Sequence, residues 1–412
     1  MNILLINHYA GSDLMGMEYR PFYLAREWVA NGHSATVVAA AYSHLRNSQP
    51  VVPADLESTQ EEGVKFRWLR TNRYVGSGVG RVANMLTFVG RLLAYADRIA
   101  QEERPDIVVC SSTYPLDIYP GARIARKAQA RLVFEVHDLW PLTPILLGGY
   151  SPRHPYIRLL QRAEDWAYRN AEAVVSILPA TRDYMVERGL DPRKFAHVPN
   201  GIPIARAPAA SDGDLPTAVE RRVEQDRQAG RFLVGYAGGL TLAMAVETLV
   251  ETARILATSG VTFVVVGDGT QSANLQAQVA RLKLDNFHLL GRIPKSSVPK
   301  FLSMMDVLAI PWHRSPLYRY GVSPNKIFDY MLARKPILQA SDASNDLVAE
   351  AECGMTVGPE DAAVFADAIL RLRQLPPEER QRLGENGRRF VLQNHDYQIL
   401  ACRFLDAVVR ST

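Results

Sequence analysis

Gly-Val-Ser-Pro-Asn-Lys-Ile-Phe-Asp-Tyr-Met-Leu-Ala-Arg-Lys-Pro-Ile, residues 321–337, is the stretch on which the reading of this chain turns. Ser323 followed by Pro324 has the form of an N-cap and a first helical residue, so a helix is predicted to begin here. The first turn of such a helix offers free backbone N–H groups and the positive end of the dipole. Asn325 and Lys326 add a donor and a charge, and Val322 stands at the mouth of the same turn. Asp329 follows Lys326 by three residues and so shares its face. A diphosphate on the helix start, with ribose hydroxyls on Asp329, outlines a nucleotide site. An ordinary capped helix with surface charges is the plainer account, and the stretch alone leaves both open.

Outward from it, short apolar runs alternate with longer amphipathic ones. Strands are expected over 3–6, 35–39, 107–110, 132–136, 174–178 and 196–198, then over 232–236, 262–266, 287–290, 307–310, 336–339 and 355–357. Helical patterns lie between them, among others over 20–30, 82–100, 156–170, 245–257 and 274–282. Apolar strands alternating with helices imply parallel sheets covered on both faces. The expected class is α/β, with two Rossmann-like, doubly wound domains over 1–202 and 219–394. An Ala-, Pro- and Asp-rich linker over 203–218 would join them. Open parallel sheets bind ligands beyond the carboxyl ends of their strands. Two such sheets in tandem are expected to face a central cleft.

With 412 residues, 47% hydrophobic and 22% charged, the chain has the balance of a globular enzyme. A net charge of +4 spread over both halves argues against a nucleic-acid partner. Cys110, Cys353 and Cys402 are odd in number and scattered, so a reducing, cytoplasmic compartment is expected. The first residues read as a buried strand rather than a signal peptide. No run approaches the ~18 apolar residues of a membrane helix. The segment 81–100, with Arg158, Arg162 and Arg169 on another helix, has an apolar face edged by arginines. Such a face suits peripheral contact with a membrane or packing into a core.

Three glycine turns follow strands in the second half. Gly238, Gly239 and Thr241 lie in the first of them, where close backbone approach to a phosphate is feasible. Gly267-Asp268-Gly269 follows the next strand. In Gly291-Arg292-Ile293-Pro294, Arg292 suits a diphosphate and the backbone at Ile293 suits a flat base. Neither a Walker loop nor a Gly-x-Gly-x-x-Gly fingerprint is present. In the first half, Glu135-Val136-His137-Asp138-Leu139-Trp140-Pro141 ends a strand with an acid–base pair. The loop with Gly16, Glu18 and Arg20 follows the first strand. The nine histidines show no metal-ligand spacing, so no metal is expected.

Taken in order, these motifs resemble glycosyltransferase family 4, which has the GT-B fold. The likeness is strongest to bacterial transferases of N-acetylated sugars in surface polysaccharide assembly, and it runs from Met1 to about Pro336. It is carried by the glycine loop with 17–20, Gly32-His33, Pro105-Asp106-Ile107-Val108, Glu135-x-His137-Asp138, Pro199-Asn200-Gly201-Ile202, Gly267-Asp268-Gly269, Leu290-Gly291-Arg292 and Ser323-Pro324-Asn325-Lys326 through Met331. The resemblance implies a nucleotide sugar on the C-terminal domain and a lipid-linked or glycan acceptor on the N-terminal one. A last helix over 395–412 would return to the first domain. Retention of anomeric configuration without a metal or other cofactor is implied too. By carry-over, Asp329 would bind ribose and Gly238, Gly239 and Thr241 the diphosphate. His137, with Asp138 beside it, would contact the donor sugar, and Gly16, Glu18 and Arg20 would lie on the acceptor side.

The chain departs from the pattern at Gly321, where the family usually has its first acid, and after Gly239, where no Lys or Arg follows. Lys326 and Arg292 are therefore expected to supply the charge that meets the phosphates. A non-hydrolysing UDP-sugar epimerase and a non-catalytic nucleotide-sugar-binding subunit are the alternatives that these departures leave open.

Overall fold

The computed structural model describes residues 1–16, 19–76, 78–206, 213–241 and 244–410. The chain divides into two compact units, Met1–Asn200 with Tyr397–Thr412, and Gly201–Asp396.

The first unit is built on eight strands: β1 (Asn2–Ile6), β2 (Ser34–Ala40), β3 (Glu57–Glu61), β4 (Val64–Leu69), β5 (Ile107–Cys110), β6 (Arg131–Val136), β7 (Ala173–Ser176) and β8 (Phe195–His197). Their order across the sheet is β3-β4-β2-β1-β5-β6-β7-β8. All neighbours are parallel except β3, which pairs antiparallel with β4. The sequence reading has six strands here and lacks β3 and β4. These two form a hairpin through Glu62 and Gly63, both at positive φ, as a tight two-residue turn requires. β3 (Glu-Ser-Thr-Gln-Glu) is a polar edge strand with no apolar run to betray it. The helical pattern over 82–100 is also two helices, Val79–Ala94 and Ala96–Glu103, broken at Tyr95.

The second unit has six parallel strands: β9 (Phe232–Ala237), β10 (Val261–Val266), β11 (Phe287–Leu289), β12 (Val307–Pro311), β13 (Ile337–Ala340) and β14 (Gly354–Val357). Their order is β11-β10-β9-β12-β13-β14. The strand order reverses between β9 and β12, and there a doubly wound sheet opens a crevice for ligand. Four of these strands are wholly buried, as in the run Val-Thr-Phe-Val-Val-Val of β10. That pattern is what helices on both faces demand. The first sheet reverses between β1 and β5, where Asn7 Nδ2 donates to Ser111 O at 2.6 Å.

Helix Tyr397–Arg410 closes the first unit against helix Arg20–Ala30. The Trp28 and Phe404 rings lie 5.3 Å apart, and Trp28 Nε1 donates to Ala401 O at 3.1 Å. Both side chains are fully buried. Phe404→Ala should therefore destabilise this unit by about 3–5 kcal/mol. Urea unfolding followed by far-UV circular dichroism will show an earlier transition; an unchanged midpoint contradicts this packing.

Candidate active site

In the second unit, three loops at the carboxyl edge of the sheet are tied into one floor. Gly238 N donates to Val266 O at 3.1 Å, Leu240 N to Asp268 O at 3.0 Å, and Gly267 N to Gly291 O at 2.8 Å. The approach is so close that a Cβ on Gly267 would lie 1.8 Å from Gly238 O, so only glycine fits there. Tyr236, at the end of β9, donates its phenol to Gly239 O at 2.8 Å and braces the first loop.

Lys326 reaches this floor from helix Asn325–Leu332. Its Nζ lies 2.8 Å from Tyr236 Oη and 4.5 Å from the centre of that ring. A Cβ on Gly238 would sit 2.9 Å from the same nitrogen, which places the amine over the glycine loop. Among the described residues no carboxylate pairs with Lys326. Burial alone brings its pKa down from 10.5 to about 7. One turn along, burial raises Asp329 to about 6, partly offset by the charge of Lys295. The two side chains thus answer to different neighbours, although they share a helix.

The helix begins one residue later than expected. Pro324 has ψ of 130°, outside the helical region, and is itself the N-cap, so Ser323 precedes the cap rather than forming it. Asn345 fixes the segment before it, accepting from Val322 N at 2.8 Å and donating to Val322 O at 3.0 Å. Tyr330 holds the other side, with its Oη 2.7 Å from Ala237 N. Asn325 is exposed, and so are Gly239 and Thr241. Arg292 is largely exposed and lies 3.7 Å from Asp268, so part of its charge is already answered by a carboxylate. Ile293 is half-buried, packed against the apolar core.

In the first unit, the loops after β5 and β6 hold a buried polar chain. Glu135 Oε1 accepts from Arg20 Nε at 2.9 Å, with both side chains essentially inaccessible. Glu135 Oε2 lies 2.5 Å from Ser111 Oγ and 3.0 Å from His137 Nε2. Burial pushes Glu135 up, but Arg20 and His137 prevail and hold it at about 2. Arg20 also donates to Pro199 O at 2.6 Å and Val198 O at 2.9 Å.

Arg20 is accordingly not an acceptor-side ligand. It is spent on a buried ion pair and on two carbonyls. The Asp138 carboxylate is engaged within its own loop, accepting from Leu139 N at 2.8 Å, Thr143 Oγ1 at 2.7 Å and Trp140 Nε1 at 3.2 Å. It caps its own loop and so sets the exit of the chain from His137. Gly16 N donates to Ser12 O at 2.9 Å in a turn, and Glu18 lies outside the described residues. Tyr236, Tyr330, Asn345, Ser111 and Lys295 were missed. Tyr236 and Tyr330 read as core aromatics, and Asn345 sits in a loop with no motif. Only the assembled fold brings them to the site.

Two Rossmann-like units of this kind are consistent with the GT-B fold, and the domain matches show that the chain belongs to the glycosyltransferases that have it. Residues 15–201 match the glycosyl transferase 4-like domain and residues 231–374 the glycosyl transferases group 1 domain. The 2-deoxystreptamine glucosyltransferase of Streptomyces kanamyceticus is 31% identical over 231 residues, 54% of this chain and 56% of that protein. The chain therefore aligns with little more than half the length of that relative. A probable glycosyltransferase of Pseudomonas aeruginosa, WbjE, is 23% identical over 86% of each chain. Among solved structures, Anabaena HepE in complex with UDP-glucose superposes with a TM-score of 0.65 at 17% identity, over 99% of each chain.

Removing one partner of a buried ion pair leaves an uncompensated charge. Arg20→Met should cost about 3–5 kcal/mol in urea denaturation. Glu135 carries a depressed pKa in the folded chain, so its stabilisation is complete above the ordinary value of 4.5 and is lost as pH falls toward about 2. Unfolding midpoints measured across that window should slope for the native chain and flatten for Glu135→Gln.

Proposed function

We propose that the chain transfers a hexose, N-acetylated, from a UDP-sugar to a lipid-linked or glycan acceptor in bacterial surface polysaccharide assembly, with retention and without a metal. The observation that carries the donor half of this reading is Lys326, a half-buried amine with no carboxylate partner among the described residues, held over the hydrogen-bonded glycine loops. A diphosphate is the anion for which such a floor and charge are suited. Asp329, one turn away, suits ribose hydroxyls, and the backbone at Ile293 a base. UDP-glucose is the ligand in the HepE complex, which supports a uridine donor.

Departure of UDP concentrates negative charge on its β-phosphate. Lys326 meets that charge as it grows, the condition under which electrostatic stabilisation accelerates a reaction. His137, fixed by Glu135 and Ser111, would hydrogen-bond the donor sugar and steady its oxocarbenium character. With no nucleophilic side chain assigned, the leaving phosphate oxygen takes the acceptor proton as the new glycosidic bond forms on the same face. The enzyme's share is then positioning and charge.

Peripheral contact with the cytoplasmic face of the inner membrane is part of the proposal. Val75, Val79, Leu86 and Leu93 are exposed and support it. Met85, Phe88 and Leu92 of the same helix point into the core instead, and Arg91 and Arg98 pair with Asp55 and Glu102. No helix among the described residues is long and apolar enough to cross a membrane.

A thermal-shift screen of nucleotides and nucleotide sugars should give the largest rise in Tm with UDP-sugars; a higher rank for ADP- or GDP-sugars rejects the uridine donor. Lys326→Ala should lower kcat by about 10²–10³, and near-normal turnover would remove the lysine from the mechanism. Burial brings the pKa of Lys326 down to about 7, and a bound diphosphate will raise it. UDP binding at pH 8 should take up a proton, seen by calorimetry in buffers of different ionisation enthalpy, and weaken as pH rises further. Lys326→Met should abolish the uptake.

A further inference from the structure

Two loops at the carboxyl edge of the first unit's sheet meet at one guanidinium, and two more pack beside them. Arg81, in the first turn of helix Val79–Ala94, lies 5.5 Å from the centre of the Tyr9 ring and 5.9 Å from that of Trp140. Its Nε donates to Tyr9 Oη at 3.3 Å. Its two terminal NH2 groups have no hydrogen-bond partner among the described residues. Tyr9 follows β1, His44 follows β2, Tyr74 follows β4 and Trp140 follows β6. Tyr9 meets His44 edge-on at 5.7 Å, and His44 Nδ1 lies 2.6 Å from Tyr74 Oη.

Behind these rings, Arg46 is only 5% exposed. Its Nε donates to Ala10 O at 2.8 Å and its guanidinium lies 5.0 Å over the Trp68 ring, yet Nη2 has no partner. Neither Arg46 nor Arg81 has a carboxylate within ion-pair distance among the described residues. Other arginines of this unit do: Arg91 pairs with Asp55, Arg98 with Glu102 and Arg123 with Asp97. Burial brings His8 down to about 3 against the hydrogen bond to Asn84, which raises it, and the charges of Arg46, Arg81 and His44 add to the fall. Cations gathered at a rim without counter-ions cost stability that an arriving anion relieves.

We propose that Arg81 and its aromatic surround form an anion-selecting acceptor subsite, in which Arg81 grips a phosphate or carboxylate of the acceptor and the half-buried Trp140 ring bounds its sugar. This rests on the reading of the chain as a transferase whose first unit takes the acceptor, and adds the charge that acceptor must carry. Trp140 stands three residues past His137, so the subsite borders the loop of the reacting centre. The anion belongs either to a soluble sugar or to a lipid headgroup. A diamine such as 2-deoxystreptamine, named for the Streptomyces relative, would be repelled.

The test is calorimetric titration of the whole chain already saturated with UDP. Glucose, glucose 6-phosphate and glucosamine form one arm, and farnesol and farnesyl phosphate in matched detergent the other. The expected result is at least about tenfold tighter binding of the anion than of its neutral partner in one arm or both. Preference in the first arm assigns a sugar-borne anion, and in the second a lipid headgroup. Arg81→Gln should erase the preference while keeping UDP binding, and Arg81→Lys should restore part of it. Equal binding of neutral and anionic probes, no binding of either anion, preference for glucosamine, or a preference that survives Arg81→Gln overturns the proposal. Failure of the initial UDP titration counts instead against the donor reading.

Discussion

Among the described residues Lys326 is held by a phenol rather than by an opposite charge, and the second unit is organised around that constraint. Pairing the lysine with a carboxylate would stabilise the empty site and weaken it toward an anion. Tyr236 instead accepts from the amine at 2.8 Å and presents its ring at 4.5 Å, which keeps the amine in place without neutralising it. The same tyrosine fixes Gly239 through its carbonyl. One side chain thus sets both the charge and the loop that the charge overlooks, and the tight Gly238–Gly267 approach leaves that loop little room to relax.

The first unit uses charge in the opposite way. Arg20 and Glu135 neutralise each other out of solvent and spend their remaining donors and acceptors on Val198, Pro199, Ser111 and His137. Such a pair adds little net stability over an apolar substitute, because desolvation offsets attraction. Its effect is posture: β6 and the segment after β8 are locked together, and the His137 ring is fixed by two contacts at 3.0 Å. Asp138 works alike, holding the loop beyond His137 through three hydrogen bonds.

Much of the fold was legible because parallel strands buried on both faces must be apolar throughout. All six strands of the second sheet fall within a residue or so of their expected places, and helix Arg20–Ala30 falls where expected. β3 escaped because an edge strand carries no such requirement, and β4 because Lys65 and Arg67 interrupt its apolar run. At the site, the glycine loops and Lys326 were legible from spacing after strands and before a helix. The engagements of Arg20 and Asp138 were not, because residue type shows that a group can bind a ligand, never whether the fold has already used it. Asn345 and Tyr330 act across 23 and 93 residues of sequence, beyond any local pattern.

The departure at Gly321 shows the same limit. Position 321 is usually acidic in the family that the chain resembles, so the change reads as one lost side chain. In the structure Gly321 has φ of 91°, a conformation that side-chain-bearing residues rarely adopt. The next residue, Val322, is then held through both its N–H and its carbonyl by Asn345. The difference therefore lies in the path of the backbone: the chain turns at 321 in a way an acid would resist, and Asn345 secures the turn. An acid placed there would not recover the family's arrangement, since it would strain the turn by about 1–3 kcal/mol before reaching any ligand. The loop before Lys326 is a self-consistent alternative, built from a glycine and a distant amide.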